Sequence, residues 1–221
     1  MKGIGQPLIV LFLLMVCLPA KADHRVFGNS PGSGNCFSLA FESGNTFGGA
    51  ILFTPADNIT LSSVTMWLTD YNGQNGIIPS VSIYTSQQQG LGNYVLGQEI
   101  AALDTPAPND GSTAAFNFTN SSGSTLLDAN MAYWLFAYGM WTGTTNYAGA
   151  ICYWEAGSTP TGDAAYNQAD SYVNGSFSGR SSIAPAFVIN AVPEPGLAAL
   201  LSIPMLFGIS QQLYRRRKAH L

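Results

Sequence analysis

The chain has 221 residues, of which 47% are hydrophobic and only 9% charged, so it is long enough for one packed domain and too apolar to stay disordered. Its cations are segregated. Lys2 and Lys21 precede residue 23, and Arg215, Arg216, Arg217 and Lys218 follow residue 214, which leaves Arg25 and Arg180 against eleven acids in residues 23–190, a balance of −9. With no basic patch to neutralise phosphates, this body excludes nucleic acid as a partner.

The first element is a secretory signal peptide over residues 1–22. Lys2 is followed by an apolar run from Leu8 to Leu18 and then by Pro19-Ala20-Lys21-Ala22. The small residues Ala20 and Ala22 place cleavage before Asp23, and the run is too short for a permanent span. Cys17 follows Val16, where lipoprotein processing calls for a small residue.

Residues 23–190 read as an all-β domain. Short runs punctuated by Gly, Asn, Ser and Pro predict strands over Phe47–Thr54, Ile59–Leu68, Ser80–Thr85, Tyr94–Ala102, Thr113–Thr119, Met131–Tyr138, Tyr147–Trp154 and Ile183–Asn190. Eight such strands predict a single antiparallel β-sandwich, jelly-roll-like in layout, and residues 155–182 read as loop-rich. Alternation puts Val64, Met66 and Leu68 in the core and turns Thr65 and Trp67 away from it. Met131–Tyr138 is apolar on both faces, which predicts a central strand covered on both sides. Turns are expected at Asp70-Tyr71-Asn72-Gly73, Gln89–Asn93, Pro106–Gly111 and Ser121-Ser122-Gly123.

The last element, residues 191–221, has three parts: Val192-Pro193-Glu194-Pro195, an apolar stretch over 196–214, and the basic cluster Arg215, Arg216, Arg217 and Lys218. As a helix, 196–213 would measure about 27 Å, close to a bilayer's hydrocarbon core of about 30 Å, so a C-terminal transmembrane helix is expected. The arginines then mark the cytoplasmic side and leave residues 23–190 outside the inner membrane. The two prolines forbid helix and keep the neck extended and accessible.

This tail resembles the PEP-CTERM sorting signal of bacteria. The resemblance covers about 30 residues and implies recognition by an exosortase, a membrane transpeptidase-like protease that cuts at or near Pro193-Glu194-Pro195 and releases or re-anchors the body. A weaker resemblance, carried by Ile59–Leu68, Val81-Ser82-Ile83-Tyr84 and Met131–Leu135, is to the extracellular β-sandwich modules called choice-of-anchor domains, nearest to type R. It implies no catalytic residues.

After signal removal two cysteines remain, Cys36 and Cys152, and an even count in an exported chain favours a disulfide over two buried thiols. His24 and His220 are the only histidines, one at the mature N-terminus and one in the tail, so His-based catalysis and His/Cys zinc sites lack their groups. A glycosidase needs only two carboxylates, yet no spacing joins Glu42, Glu99 and Glu155. Asp70-Tyr71-Asn72-Gly73 and Asn109-Asp110-Gly111 offer the hard oxygens of a calcium loop without completing one, and plain β-turns are the rival reading. Calcium is thus the sole cofactor left open.

Aromatic residues are in surplus: Trp67, Tyr71, Trp134, Trp141, Tyr147, Tyr153 and Trp154 lie in or beside candidate strands. Trp67, Trp134, Trp141 and Trp154 are the candidates for stacking on sugar rings, against a reading in which they fill the core. The expectation is therefore a non-enzymatic, exported bacterial envelope or extracellular-matrix protein with a structural or adhesive role. Its partners would be the general secretion machinery, an exosortase, the inner membrane transiently, and exopolysaccharide. A cell-surface carbohydrate-binding module is the alternative, and a two-carboxylate glycosidase the third reading.

Overall fold

A computed structural model describes residues 24–42, 44–72, 76–89, 93–122, 125–141 and 150–192. The signal peptide with Ala20, Ala22 and Asp23, and the tail with Pro193, Glu194, Pro195, the expected span 196–214 and the cluster Arg215–Lys218, lie outside the described residues. Among the described residues no helix is long and apolar enough to cross a membrane.

The described residues form fourteen strands: β1 (His24–Gly28), β2 (Pro31–Glu42), β3 (Asn45–Pro55), β4 (Ile59–Thr69), β5 (Ile77–Gln88), β6 (Tyr94–Leu103), β7 (Ala114–Thr119), β8 (Thr125–Leu127), β9 (Tyr133–Trp141), β10 (Ala150–Gly157), β11 (Thr161–Gly162), β12 (Ala164–Val173), β13 (Ser176–Ser181) and β14 (Phe187–Ala191). They form one antiparallel network in the order β11-β1-β14-β4-β10-β2-β3-β9-β5-β6, with β7 and β8 on the second edge of β4 and the β12–β13 hairpin on the second edge of β3. Strands β1 and β3 stand five places apart in this order, about 24 Å in a flat sheet. Yet the rings of Phe27 on β1 and Phe53 on β3 stack with centroids 6.0 Å apart, so the sheet folds back on itself and encloses its core.

The alternation of β4 has the predicted sense. Val64, Met66 and Leu68 are fully buried, and Thr65, Trp67 and Thr69 point the other way. The register against β14 slips at Ser62, and this bulge restores Leu61 and Ile59 to the core side. Glycine lets β2 pack closely on β3 and β9: a Cβ on Gly49 of β3 would lie 2.1 Å from the Phe37 ring, and one on Gly139 of β9 would lie 2.5 Å from the Ala40 nitrogen. Strand β9 is covered on both faces as expected. Tyr133, Leu135 and Ala137 enter the main core, while Trp134 and Phe136 fill a satellite cluster in which Phe177 of β13 stacks on Trp134 at 4.7 Å and Tyr172 of β12 meets Phe136 edge-on at 4.7 Å.

Two expectations are corrected. Residues 155–182 are not mostly loop but contain β11, which pairs with β1, and the polar hairpin of β12 and β13, which is recruited through β12 by the edge of β3. The Cys36–Cys152 disulfide does not form, and both thiols are free. Cys152 faces Leu39 across the ladder, three residues from Cys36, which is the extra residue of a bulge between the pairs Trp154–Phe37 and Glu155–Asn35. About 3.3 Å per residue separates the two beyond disulfide reach. The Cys36 thiol instead donates to the Ile183 carbonyl at 3.3 Å, and burial pushes the Cys152 thiol up to about 12.

One buried polar side chain ties three segments together. Asn29, 2% exposed, donates from Nδ2 to the carbonyls of Ser158 at 2.7 Å and Pro185 at 2.9 Å, and its Oδ1 accepts from the Phe187 backbone N–H at 2.7 Å. The turn after β1, the end of β10 and the start of β14 therefore share one amide. Asn29→Ala would strand all three backbone partners and is expected to cost about 3–5 kcal/mol. Urea unfolding checks this, and a midpoint within error of the wild type would contradict it.

Candidate functional site

The outward face of β4 is where the fold gathers polar side chains around an accessible indole. Direct cross-strand partners share a face, so the register places Thr65 between Asn117 of β7 and Val188 of β14, Trp67 beside Ala115 of β7, and Thr69 between Thr113 and Tyr153 of β10. Two hydrogen-bonded rows flank Trp67. In one, Asn190 Nδ2 donates to Thr65 Oγ1 at 3.3 Å and to Ser63 Oγ at 3.1 Å, and Thr65 Oγ1 donates to Asn117 Oδ1 at 3.3 Å. In the other, the Thr69 hydroxyl bonds both the Thr113 hydroxyl and the carboxylate of the buried Glu155. Ala115, Asn117 and Thr113 are exposed, while Trp67 and Tyr153 are half-buried.

The tryptophans separate by their indole N–H groups. Trp134 and Trp154 have 0% exposure, and their N–H groups donate to the carbonyls of Val95 at 3.2 Å and Ala186 at 2.8 Å. Neither presents a face to a sugar, which corrects the expectation for these two: a satisfied N–H makes full burial of an indole affordable in a core. Trp141, at the end of β9, packs half-buried against the main core. Trp67 reaches solvent, and its N–H has no acceptor among the described residues. Tyr71 is buried, donates to the Pro106 carbonyl at 2.7 Å and meets Phe116 edge-on, so it plugs the loop over residues 106–111; Tyr147 lies outside the described residues.

The glutamates occupy three different strands. Glu42 is exposed at the end of β2, Glu99 on β6 accepts the Tyr84 hydroxyl at 2.7 Å, and Glu155 lies under Thr69. The two loops with calcium-like oxygens do meet, because the Asp70 N–H donates to the Gly111 carbonyl at 2.9 Å and the Asn109 N–H to the Tyr71 carbonyl at 3.1 Å. In the second loop the side-chain oxygens are engaged locally: Asn109 Oδ1 accepts from the Gly111 N–H, and Asp110 Oδ1 from the Ser112 N–H and hydroxyl. Among the described residues no group of three His, Cys, Asp or Glu is placed to hold a metal ion.

Trp67 and Tyr153 were both visible in the sequence as aromatic candidates. Glu155, Asn117 and Asn190 as their neighbours were not, since alternation marks an outward residue without saying which strand lies beside it. No protein-family model matches the chain, and no curated protein matches it in sequence.

Away from this face, Asp170 on β12 is 5% exposed and shares its side of the sheet with Ala50 and the satellite cluster. Its Oδ2 accepts from Gln168 Nε2 at 2.7 Å, and its Oδ1 has no partner. Burial raises its carboxyl above the ordinary value, against the opposing pull of the Gln168 bond and the Arg180 charge. An acid raised on folding binds its proton more tightly in the native state, so stability falls as pH climbs through the ordinary carboxylate range of about 3.9 and stays lower above the raised value. Asp170→Asn is expected to raise the urea midpoint at pH 7 and leave it unchanged near pH 3; a lower midpoint at pH 7 would reverse this account.

Proposed function

We propose that this chain is an exported bacterial surface protein, a jelly-roll-like β-sandwich delivered by its signal peptide and sorted through its PEP-CTERM-like tail, acting by structural or adhesive contact rather than by catalysis. The observation that supports it most is the position of the fold's outermost ladder pair. His24 of β1 pairs with Ala191 of β14. Among the described residues the first laddered residue stands next to the expected signal cleavage before Asp23, and the last stands two residues before Pro193. Cutting at both places leaves every described strand whole, with His24 and Ala191 paired side by side at the two ends of the folded unit. The partners of this reading are the secretion machinery and an exosortase, with a transmembrane helix over 196–214 as the transient anchor.

A second reading, a carbohydrate-binding surface module, is favoured by Trp67 and Tyr153 sharing one outward face. A two-carboxylate glycosidase has less support, because Glu42, Glu99 and Glu155 sit on separate strands with separate partners.

The intact mass of the protein recovered from its native envelope or medium tests the sorting. A chain beginning at Asp23 and ending between Val192 and Pro195, with any attached anchor as added mass, is the expected result. A mass that still includes Arg215–Leu221 would overturn it.

A further inference from the structure

We infer that the outward face of β4 is a docking platform for an uncharged polysaccharide, with Trp67 and Tyr153 as its stacking rings; this deepens the carbohydrate-binding reading and rests on it. Tyr153 is the direct partner of Thr69, two residues along from Trp67, so the two aromatic residues are diagonal cross-strand neighbours, about 7–8 Å apart. At the Trp67 position β7 contributes only the methyl of the exposed Ala115, so no larger side chain of β7 stands directly beside the indole. The rows on either side line the face with the hydroxyls of Thr65, Thr69 and Thr113 and the amides of Asn117 and Asn190, which exchange hydrogen bonds with sugar hydroxyls while the rings take the C–H face of a pyranose; the buried Glu155 carboxylate holds Thr69 from beneath.

Charge selects among glycans. The balance of −9 over residues 23–190 repels polyanions, and Glu155 is the charged group within these rows. Arg25, the direct partner of Asn190 on β1, stands at the margin with its guanidinium on the Gly28 carbonyl at 2.8 Å. A protein partner fits less well, since an interface core needs contiguous apolar area, and the exposed Leu126 and Val192 lie beside Thr60 at the start of β4, away from the Trp67 and Tyr153 rings. An open sheet face, as opposed to an enclosed pocket, suits the inner units of a long chain.

The test is affinity electrophoresis of the full-length protein in a neutral detergent, through native gels containing hydroxyethyl cellulose, dextran or galactomannan, with alginate as the anionic comparison. Retardation by at least one uncharged polymer and none by alginate is expected. Trp67→Ala should weaken it at least tenfold, and Tyr153→Ala and Asn117→Ala severalfold, with near-ultraviolet circular dichroism confirming the fold of each variant. Should Trp67→Ala fail to fold, the other two variants decide. No retardation by any uncharged polymer, retardation that all folded variants keep, or retardation by alginate alone would each overturn the proposal. Because the assay is indifferent to processing, a protein that is sorted but does not bind removes only this inference, and one that binds but keeps its tail removes only the sorting.

Discussion

The fold depends on how the segment over residues 184–187 is pinned. Asn29 holds it from one side through the Pro185 carbonyl and the Phe187 N–H. Ala186 holds it from the other, donating its N–H to the Glu155 carbonyl at 2.7 Å and accepting at its own carbonyl from the Trp154 indole and the Trp67 backbone N–H. This short crossing is where β4 changes neighbours, from β14 along residues 61–66 to β10 at Leu68 and Thr69. An amide buried without these bonds would carry a desolvation cost of a few kcal/mol, so the arrangement is favourable only when complete. Its completeness also fixes Trp67, because the backbone of that residue is one of the groups being held.

The same constraint explains why one sheet carries two kinds of aromatic residue. Inward positions of β10 and both faces of β9 are closed over by other strands, so Trp154 and Trp134 pay for burial with hydrogen bonds to backbone carbonyls. The outward positions of β4 and β7 are only partly covered: Trp67 and Thr65 are half-buried, and Ala115 and Asn117 are exposed. There the side chains include Ser63, Thr65, Trp67, Thr69, Ala115 and Asn117, with Asn190 of β14 bonded to Ser63 and Thr65, and Thr65 to Asn117. Such rows hold their donors and acceptors in fixed register, which lowers the ordering cost of a polar ligand.

Much of this was legible from alternation and little of it from composition. β7, β9 and the Val64–Leu68 part of β4 declared themselves because one face or both faces of each run are apolar without interruption, whereas the bulge at Ser62 that keeps Ile59 and Leu61 inside is visible only against β14. β12 and β13 did not. Ala164–Val173 and Ser176–Ser181 are rich in Ser, Asn, Gln and Gly, and their strand character comes from pairing with the edge of β3 and from two aromatic contacts, Tyr172 and Phe177, that reach the satellite cluster. β2 was hidden for a related reason: it begins Pro31-Gly32-Ser33-Gly34, a turn-like string, and its bulge at Cys36 is set by β10. The same bulge misdirected the cysteine expectation, since an even count says nothing about register. The stacking candidates divided on burial, which a list of tryptophans does not contain, whereas the β4 pattern had already singled out Trp67 as outward.

The central claim is that β4 separates a sealed core from an open binding face, and hydroxyl-radical footprinting of the full-length protein measures this directly. The account predicts rapid oxidation of Trp67 and Tyr153 under native conditions, with Trp134 and Trp154 spared until the protein is unfolded in denaturant. Protection of Trp67 equal to that of Trp154 would contradict it.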